Sequence, residues 1–345
     1  MGVQIYIRNM KKILLWSAII LGSALVIYNI WAYAYRAREK KSGWVNFPRS
    51  GKMRFREYTL GKNNGNGNLI AIQPYVTPQN YSTGFNFFVT LRLYMEQIKK
   101  DSLIKKNTVV VFPEHIGTPL FACNEKENIY TRSTIKSAMN TMVLSNFFTW
   151  APLYLSTDSV SDKKIHSILS MKSVRMADLY NQCFSSLAKE FNVTIIAGSI
   201  VLPQPYINDS GQLKSGKGSL YNTFVTYGPD GKALPELSMD IFSPQGRNTS
   251  TKSDNIKNLP FFKTPAGGVS LIRYHRASLF TDKTPDTVRS SASMSFPIVK
   301  SICLEFTGDM WDRSFDGIFI EMVGDSVVSL GPASKRGRII NSWMR

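Results

Sequence analysis

The sequence predicts an α/β layered domain behind a single N-terminal membrane-spanning helix. Three observations carry that expectation. Ile13 to Tyr35, ILLWSAIILGSALVIYNIWAYAY, runs without a formal charge. Beyond it, short apolar runs rich in β-branched residues alternate with longer stretches of helical period. Hydrophobic residues make up 43%, charged residues 19% and aromatic residues 12% of the 345 residues, which builds a core and excludes a disordered or collagen-like chain.

Residues 1–12 form a basic tail carrying Arg8, Lys11 and Lys12. At about 1.5 Å per residue, the 13–35 run crosses a hydrocarbon core of roughly 30 Å. Trp16, Tyr28, Trp31, Tyr33 and Tyr35 gather toward its ends, as interfacial anchors do. The run is longer than the apolar part of a signal peptide, and no small-x-small site precedes the basic RAREKK, so it reads as a retained anchor. Basic residues flank it on both sides. The heavier downstream charge favours a cytosolic domain, but long domains override that rule, so the side of the membrane stays open.

Residues 36–67 read as a basic linker ending in GKNNGNGN, which holds no regular structure, and the soluble domain is placed at 68–345. Within it LIAIQPYV is a strand, Phe87 to Lys100 has helical spacing, and TVVVFPE is a buried strand ending in a carboxylate. Met171 to Phe191 is an amphipathic helix and VTIIAGSIVL a further strand. SLYNTFVTYGPDGKAL reads as strand, turn and strand around Pro229-Asp230-Gly231. FPIVKSICLEF and FDGIFIEMV are two more strands, and the tail from Ser334, SKRGRIINSWMR, reads as one short basic helix.

The 42 Lys and Arg against 24 Asp and Glu give a net charge of +18, which favours anionic partners. The base is spread along the chain with no nucleic-acid-binding motif, so the membrane is the expected anionic partner and nucleic acid is not. Three cysteines and three histidines fit neither a disulfide scaffold nor a structural zinc site, and no metal or cofactor is expected. Cys123 and Cys183 read equally as buried thiols or as a bridge.

Two residues stand out as chemistry. Glu114 follows the apolar strand and the rigid Pro113, where partial burial would tune a carboxylate as a general base. Cys303 lies in SICLEF, and a cysteine there becomes a nucleophile only with a neighbouring base or cation; Glu305, two residues on, is a neighbouring acid.

The order LIAIQPYVTPQ, TVVVFPEHIGTPL, IIAGSIV, LYNTFVTYGPDGKAL, SICLEF resembles the nitrilase (carbon–nitrogen hydrolase) superfamily over roughly Leu69 to Glu321. The likeness is closest to the nitrilase-like domain of apolipoprotein N-acyltransferase. The resemblance implies an α-β-β-α sandwich, Glu114 as general base and Cys303 as the nucleophile of a thioester mechanism. The implied partner is an amide- or acyl-containing small molecule or lipid, with self-association into a homo-oligomer as a further expectation.

The chain departs from the family pattern at the catalytic lysine, which stabilises the oxyanion. Met239 occupies that position, or Ser238 in a register shifted by one residue, and Arg247 stands where a further glutamate belongs. Losing one oxyanion donor costs about 10²–10³ in rate. Arg247 and Lys252 are the substitute cations within reach in sequence, with Lys257 and Lys263 beyond them. Two functions follow: a membrane-anchored enzyme hydrolysing or transferring an acyl group, or a pseudoenzyme of the same fold that binds or scaffolds at the membrane. Only 42 residues follow Cys303, which makes the domain read as C-terminally shortened.

Overall fold

A computed structural model describes residues 2–38, 55–157, 162–242, 261–265, 267–271, 300–323, 326–333 and 335–344. Helix α1 (Gly2–Tyr33) opens the chain, starting well before the expected residue 13 and ending before Tyr35, whose φ of 54° leaves the helix. Its apolar part, Tyr6–Tyr33, is long and apolar enough to cross a membrane.

Next come strands β1 (Phe55–Leu60), β2 (Asn68–Gln73) and β3 (Tyr75–Val76), helix α2 (Gly84–Lys100) and strand β4 (Thr108–Val111). Three helices follow: α3 (Ile135–Ser145), α4 (Phe147–Ser156) and α5 (Lys163–Phe191). The central strands are β5 (Thr194–Pro203), β6 (Tyr206–Ile207), β7 (Leu213–Lys214), β8 (Leu220–Tyr227) and β9 (Ser238–Ile241). The C-terminal third holds β10 (Phe261–Thr264), β11 (Gly267–Leu271), β12 (Lys300–Leu304), β13 (Thr307–Met310), β14 (Arg313–Asp316), β15 (Phe319–Val323), β16 (Ser326–Leu330) and β17 (Gly337–Trp343).

Among the described residues, seven strands form one sheet in the order β1-β17-β2-β4-β5-β8-β9, and five form a second in the order β10-β11-β12-β15-β16. Alternation along each strand gives the first sheet two apolar faces. Ile70, Ile72, Val110 and Ile195 pack with Leu91, Tyr94, Tyr180 and Phe184 of α2 and α5. Leu69, Ala71, Val109, Val111, Ile196 and Phe224 pack against Val269, Ile302, Leu304 and Phe319 of the second sheet. The result is helices on a sheet on a sheet. No helix over the outer face of the second sheet occurs among the described residues.

Sequence expectations change at the tail and at the linker. The tail is not a helix: Gly337–Trp343 is β17, pairing parallel with β1 and antiparallel with β2 inside the large sheet. After Cys303 the chain returns to the first sheet through β17. The 36–67 linker contains β1, Phe55–Leu60, whose residues are half-buried or exposed and which pairs with β17. The segment from Asn124 to Lys164 holds α3 and α4. Cys123 and Cys183 are buried free thiols, not a bridge.

Candidate active site

Glu114 is positioned by a bulge in the neighbouring strand. The pairing of β5 with β8 slips between Ile196 and Ser199, a β-bulge that bends the strand. Gly198 sits there at φ +72°, and a Cβ on it would strike the Pro113 carbonyl, so only glycine admits the close approach. The Ser199 hydroxyl accepts the His115 N–H at 2.7 Å, and the Ser199 carbonyl accepts the Gly117 N–H at 2.9 Å. These bonds hold the turn after Pro113 against β5, with His115 at φ 60°.

The Glu114 side chain is 22% exposed and accepts a hydrogen bond from Asn222 Nδ2 at 2.6 Å on Oε1. His115 Nε2 stands 4.0 Å from the same oxygen. Asn222 belongs to β8 and lies two residues before Phe224, which packs between the sheets, so Asn222 holds Glu114 at the inter-sheet side. The sequence gives this asparagine no role; the signal that would have found it is an amide in an otherwise buried strand.

Cys303 lies within β12, opposite Ile320 of β15, and is 2% exposed. Ile302 and Leu304 on either side pack between the sheets, so strand alternation turns the thiol to the other face of β12. Burial pushes its pKa far above the ordinary thiol range, and the negative charges of Glu305 and Glu114 push it further the same way. The charge of Glu114 thus reaches Cys303. The thiol is held protonated.

Glu305 follows the end of β12. Its Oε2 accepts the Ile318 N–H at 2.9 Å, and its carbonyl accepts Gln73 Nε2 at 3.0 Å. Gln73 Nε2 also reaches the Ile318 carbonyl at 3.1 Å, so the glutamine ending β2 ties the two sheets together next to the site. Directly across from it in the ladder, Arg338 is 2% exposed and donates to the carbonyls of Gly317, Leu330 and Gly331. This buried cation, read in sequence as part of a basic tail, is a second tie between the sheets.

Met239 is 43% exposed on the edge strand β9, opposite Thr223. Asn222 pairs with Asp240, and Phe224 with Ser238, so Ser238 rather than Met239 shares the face of Asn222 and Glu114. Arg247 and Lys252 lie outside the described residues. Lys263 is exposed on β10. Among the described residues, the ionisable groups acting on Cys303 are the carboxylates Glu305 and Glu114. No cluster of His, Cys, Asp and Glu among the described residues is arranged to hold a metal ion.

A cavity of about 400 Å³ lies elsewhere, lined by Lys62, Lys300, Glu321 and Trp343 among others, and neither Cys303 nor Glu114 borders it. There Lys300 and Glu321 form a buried ion pair at 2.9 Å, with the Ser342 hydroxyl donating to Glu321 at 2.8 Å.

Fold and site together define a mixed α/β protein of two packed sheets, with an N-terminal apolar helix and a buried thiol within the charge influence of two carboxylates. No family model and no curated protein matches the sequence. Solved structures similar to it include Saccharomyces cerevisiae Nit3, a member of branch 10 of the nitrilase superfamily. That match is 13% identical with a TM-score of 0.28, over 61% of this chain and 57% of that one. A carbon–nitrogen hydrolase from Helicobacter pylori G27 is 11% identical with a TM-score of 0.37, over 79% of this chain and 89% of that one. The chain thus spans little more than half of the yeast structure it matches.

Proposed function

We propose that the protein is a membrane-anchored carbon–nitrogen hydrolase-like enzyme that acts on an amide or acyl group through a thioester on Cys303. One observation carries the reading. Glu114, fixed by Asn222 at 2.6 Å, stands within electrostatic reach of a thiol that its surroundings keep protonated. A thiol in that state needs a base at the moment of attack. Glu114 takes the proton, the sulfur bonds to the acyl carbon, and the oxyanion collapses as the C–N bond breaks. The proton on Glu114 leaves with the amine. Water then opens the thioester for hydrolysis, or a second amine opens it for N-acyl transfer.

A second reading has its own observation. The charges acting on Cys303 among the described residues are both negative, and Met239 faces away from Glu114. An oxyanion forming there meets repulsion where the reaction needs a donor. That arrangement suits a binding or scaffold protein at the membrane.

Intact-mass measurement of the full chain in detergent, after addition of an acyl-ester or amide donor, separates the two. The enzyme reading expects an added acyl mass that is lost in Cys303→Ala and slowed at least about a hundredfold in Glu114→Gln, the usual scale of general-base catalysis. No adduct on the folded wild-type chain with any donor leaves the binding reading.

A further inference from the structure

Helix α4, FFTWAPLYLS, carries no charged residue and is apolar on every side. Helices of that kind are buried in a core or in a membrane. This one has no buried residue. Phe147 is 44%, Phe148 56% and Leu155 77% exposed, and Leu144 just before the helix is 57% exposed.

Its position says what covers it. The Phe147 N–H donates to Tyr28 Oη at 3.0 Å, and the Tyr28 hydroxyl donates to the Leu144 carbonyl at 3.0 Å. The Phe148 ring meets the Tyr28 ring edge-on at 5.0 Å. Tyr28 lies inside the apolar part of α1, Tyr6–Tyr33. At about 1.5 Å per residue it stands roughly 7–8 Å before the end of that helix, which is the depth of the headgroup and upper acyl region. Tyr154 lies tilted at 4.6 Å against Trp150, which packs on the core, and Tyr28 meets Trp31 at 6.2 Å, aromatic contacts suited to that interface.

The depth of α4 is fixed. Arg36, just past α1, donates to the Ala32 carbonyl at 2.9 Å, to the Ser145 carbonyl at 3.0 Å and to Asn146 Oδ1 at 3.1 Å, so the end of α1 and the junction of α3 with α4 are bound through one side chain.

We propose that α4 is a second membrane contact, a helix lying in the bilayer interface beside the exit of α1. The inference rests on α1 crossing the membrane. Together they set the domain at one height and one tilt, with two points of contact instead of one flexible stalk.

The test is depth-dependent quenching of the full chain in vesicles of phosphatidylcholine and phosphatidylglycerol. Cys123 and Cys183 are buried, and Cys303, the proposed nucleophile, is replaced by Ala in every variant, so a maleimide-linked environment-sensitive fluorophore goes onto the introduced cysteine. Four variants are labelled: Phe148→Cys and Leu155→Cys in α4, Ile20→Cys in α1, and Ser210→Cys on an exposed turn. The expected result is several-fold stronger quenching by nitroxide-bearing acyl chains at positions 148 and 155 than at 210, and the reverse order for aqueous iodide. Quenching by acyl chains at 20 with iodide reaching 148 and 155 as readily as 210 overturns the inference and leaves the anchor standing. Failure of acyl-chain quenching at 20 overturns the anchor reading itself. Labels at 148 and 155 shielded from both quenchers mean that another protein surface, such as a second copy of the chain, covers α4, which also overturns it.

Discussion

Cys303 combines the features that decide its chemistry: a place inside a strand, 2% exposure and two carboxylates within electrostatic reach. Its titration therefore carries a stability signature. In the unfolded chain a thiol ionises near pH about 8.5, while in the fold burial first, then Glu305 and Glu114, hold the proton on. Above pH about 8.5 the unfolded state binds fewer protons, so native stability falls as pH rises. Below it this contribution is complete. Unfolding by urea at pH 8, 9 and 10 checks the sign: Cys303→Ala is expected to lose about 1.4 kcal/mol less per pH unit than wild type above pH about 9. Equal slopes would mean that the thiol ionises in the fold as it does outside it. Glu114 and Cys303 stand out in the sequence through the resemblance, each at or within an apolar run. Gln73 and Arg338 do not, because their partners are backbone carbonyls, 232 and 245 positions away for Gln73, and a side chain bound to backbone leaves no pattern. Gln73 reaches Glu305 and Ile318, and Arg338 reaches Gly317, Leu330 and Gly331.

The elements were legible where periodicity is local. Helices α2 and α5 and strands β4, β5 and β8 each carry their own pattern, and the β-branched run of β4 is buried throughout. The pair β1 and β17 was not, since each is a short segment beside charged residues and their pairing joins the two ends of the domain. GRIINSW has apolar residues in sequence but no alternation long enough to separate strand from helix. Burial confirms how closely β17 is held: Gly337–Trp343 is buried over six of its seven positions. A Cβ on Gly337 would run into the Tyr94 ring, whose Cε1 and Cζ lie at 2.7 Å and whose hydroxyl lies closer still. Tyr94 is 1% exposed and its hydroxyl accepts the Tyr75 N–H at 3.1 Å, so the ring has nowhere to retreat. Gly337→Ala should therefore destabilise the domain by about 1–3 kcal/mol, the usual cost of overpacking. Gly331→Ala, where a Cβ meets nothing within 4 Å, is the control expected to stay within about 0.5 kcal/mol. Thermal or urea unfolding of the two variants side by side decides it, and equal stabilities would show that β17 is held more loosely than its burial implies.

At the scale of the whole molecule, the question is how α1 is joined to the domain. Glu125 is fully buried and pairs with Arg36 at 3.6 Å and with Lys172, while Asn146 Nδ2 donates to it at 3.0 Å. Lys126 donates to the Trp31 and Ala34 carbonyls at 2.6 and 2.7 Å, a cation on the unsatisfied C-terminal end of α1. Burial first, then Arg36, lowers the Lys126 pKa, and Glu125 opposes them. The backbone closes the clasp: the Ala37 N–H reaches the Glu125 carbonyl and the Glu127 N–H reaches the Tyr35 carbonyl, both at 2.8 Å. Removing one member of a buried charge cluster leaves the others uncompensated, at a cost of about 3–5 kcal/mol. Glu125→Gln strands Arg36 and Lys172 in this way, and the opening it favours is local, between α1 and the domain. Cleavage by trypsin after Arg36 reports that opening, because a protease reads the open population when reclosing is fast. The rate in detergent should rise at least about tenfold, which a change of only about 1.4 kcal/mol would produce. Cleavage after Lys217, on an exposed loop away from the clasp, should not change. A rise at both sites would mean that Glu125 supports the whole fold. An unchanged rate at Arg36 would mean that Lys126 and the backbone bonds hold α1 without the buried carboxylate.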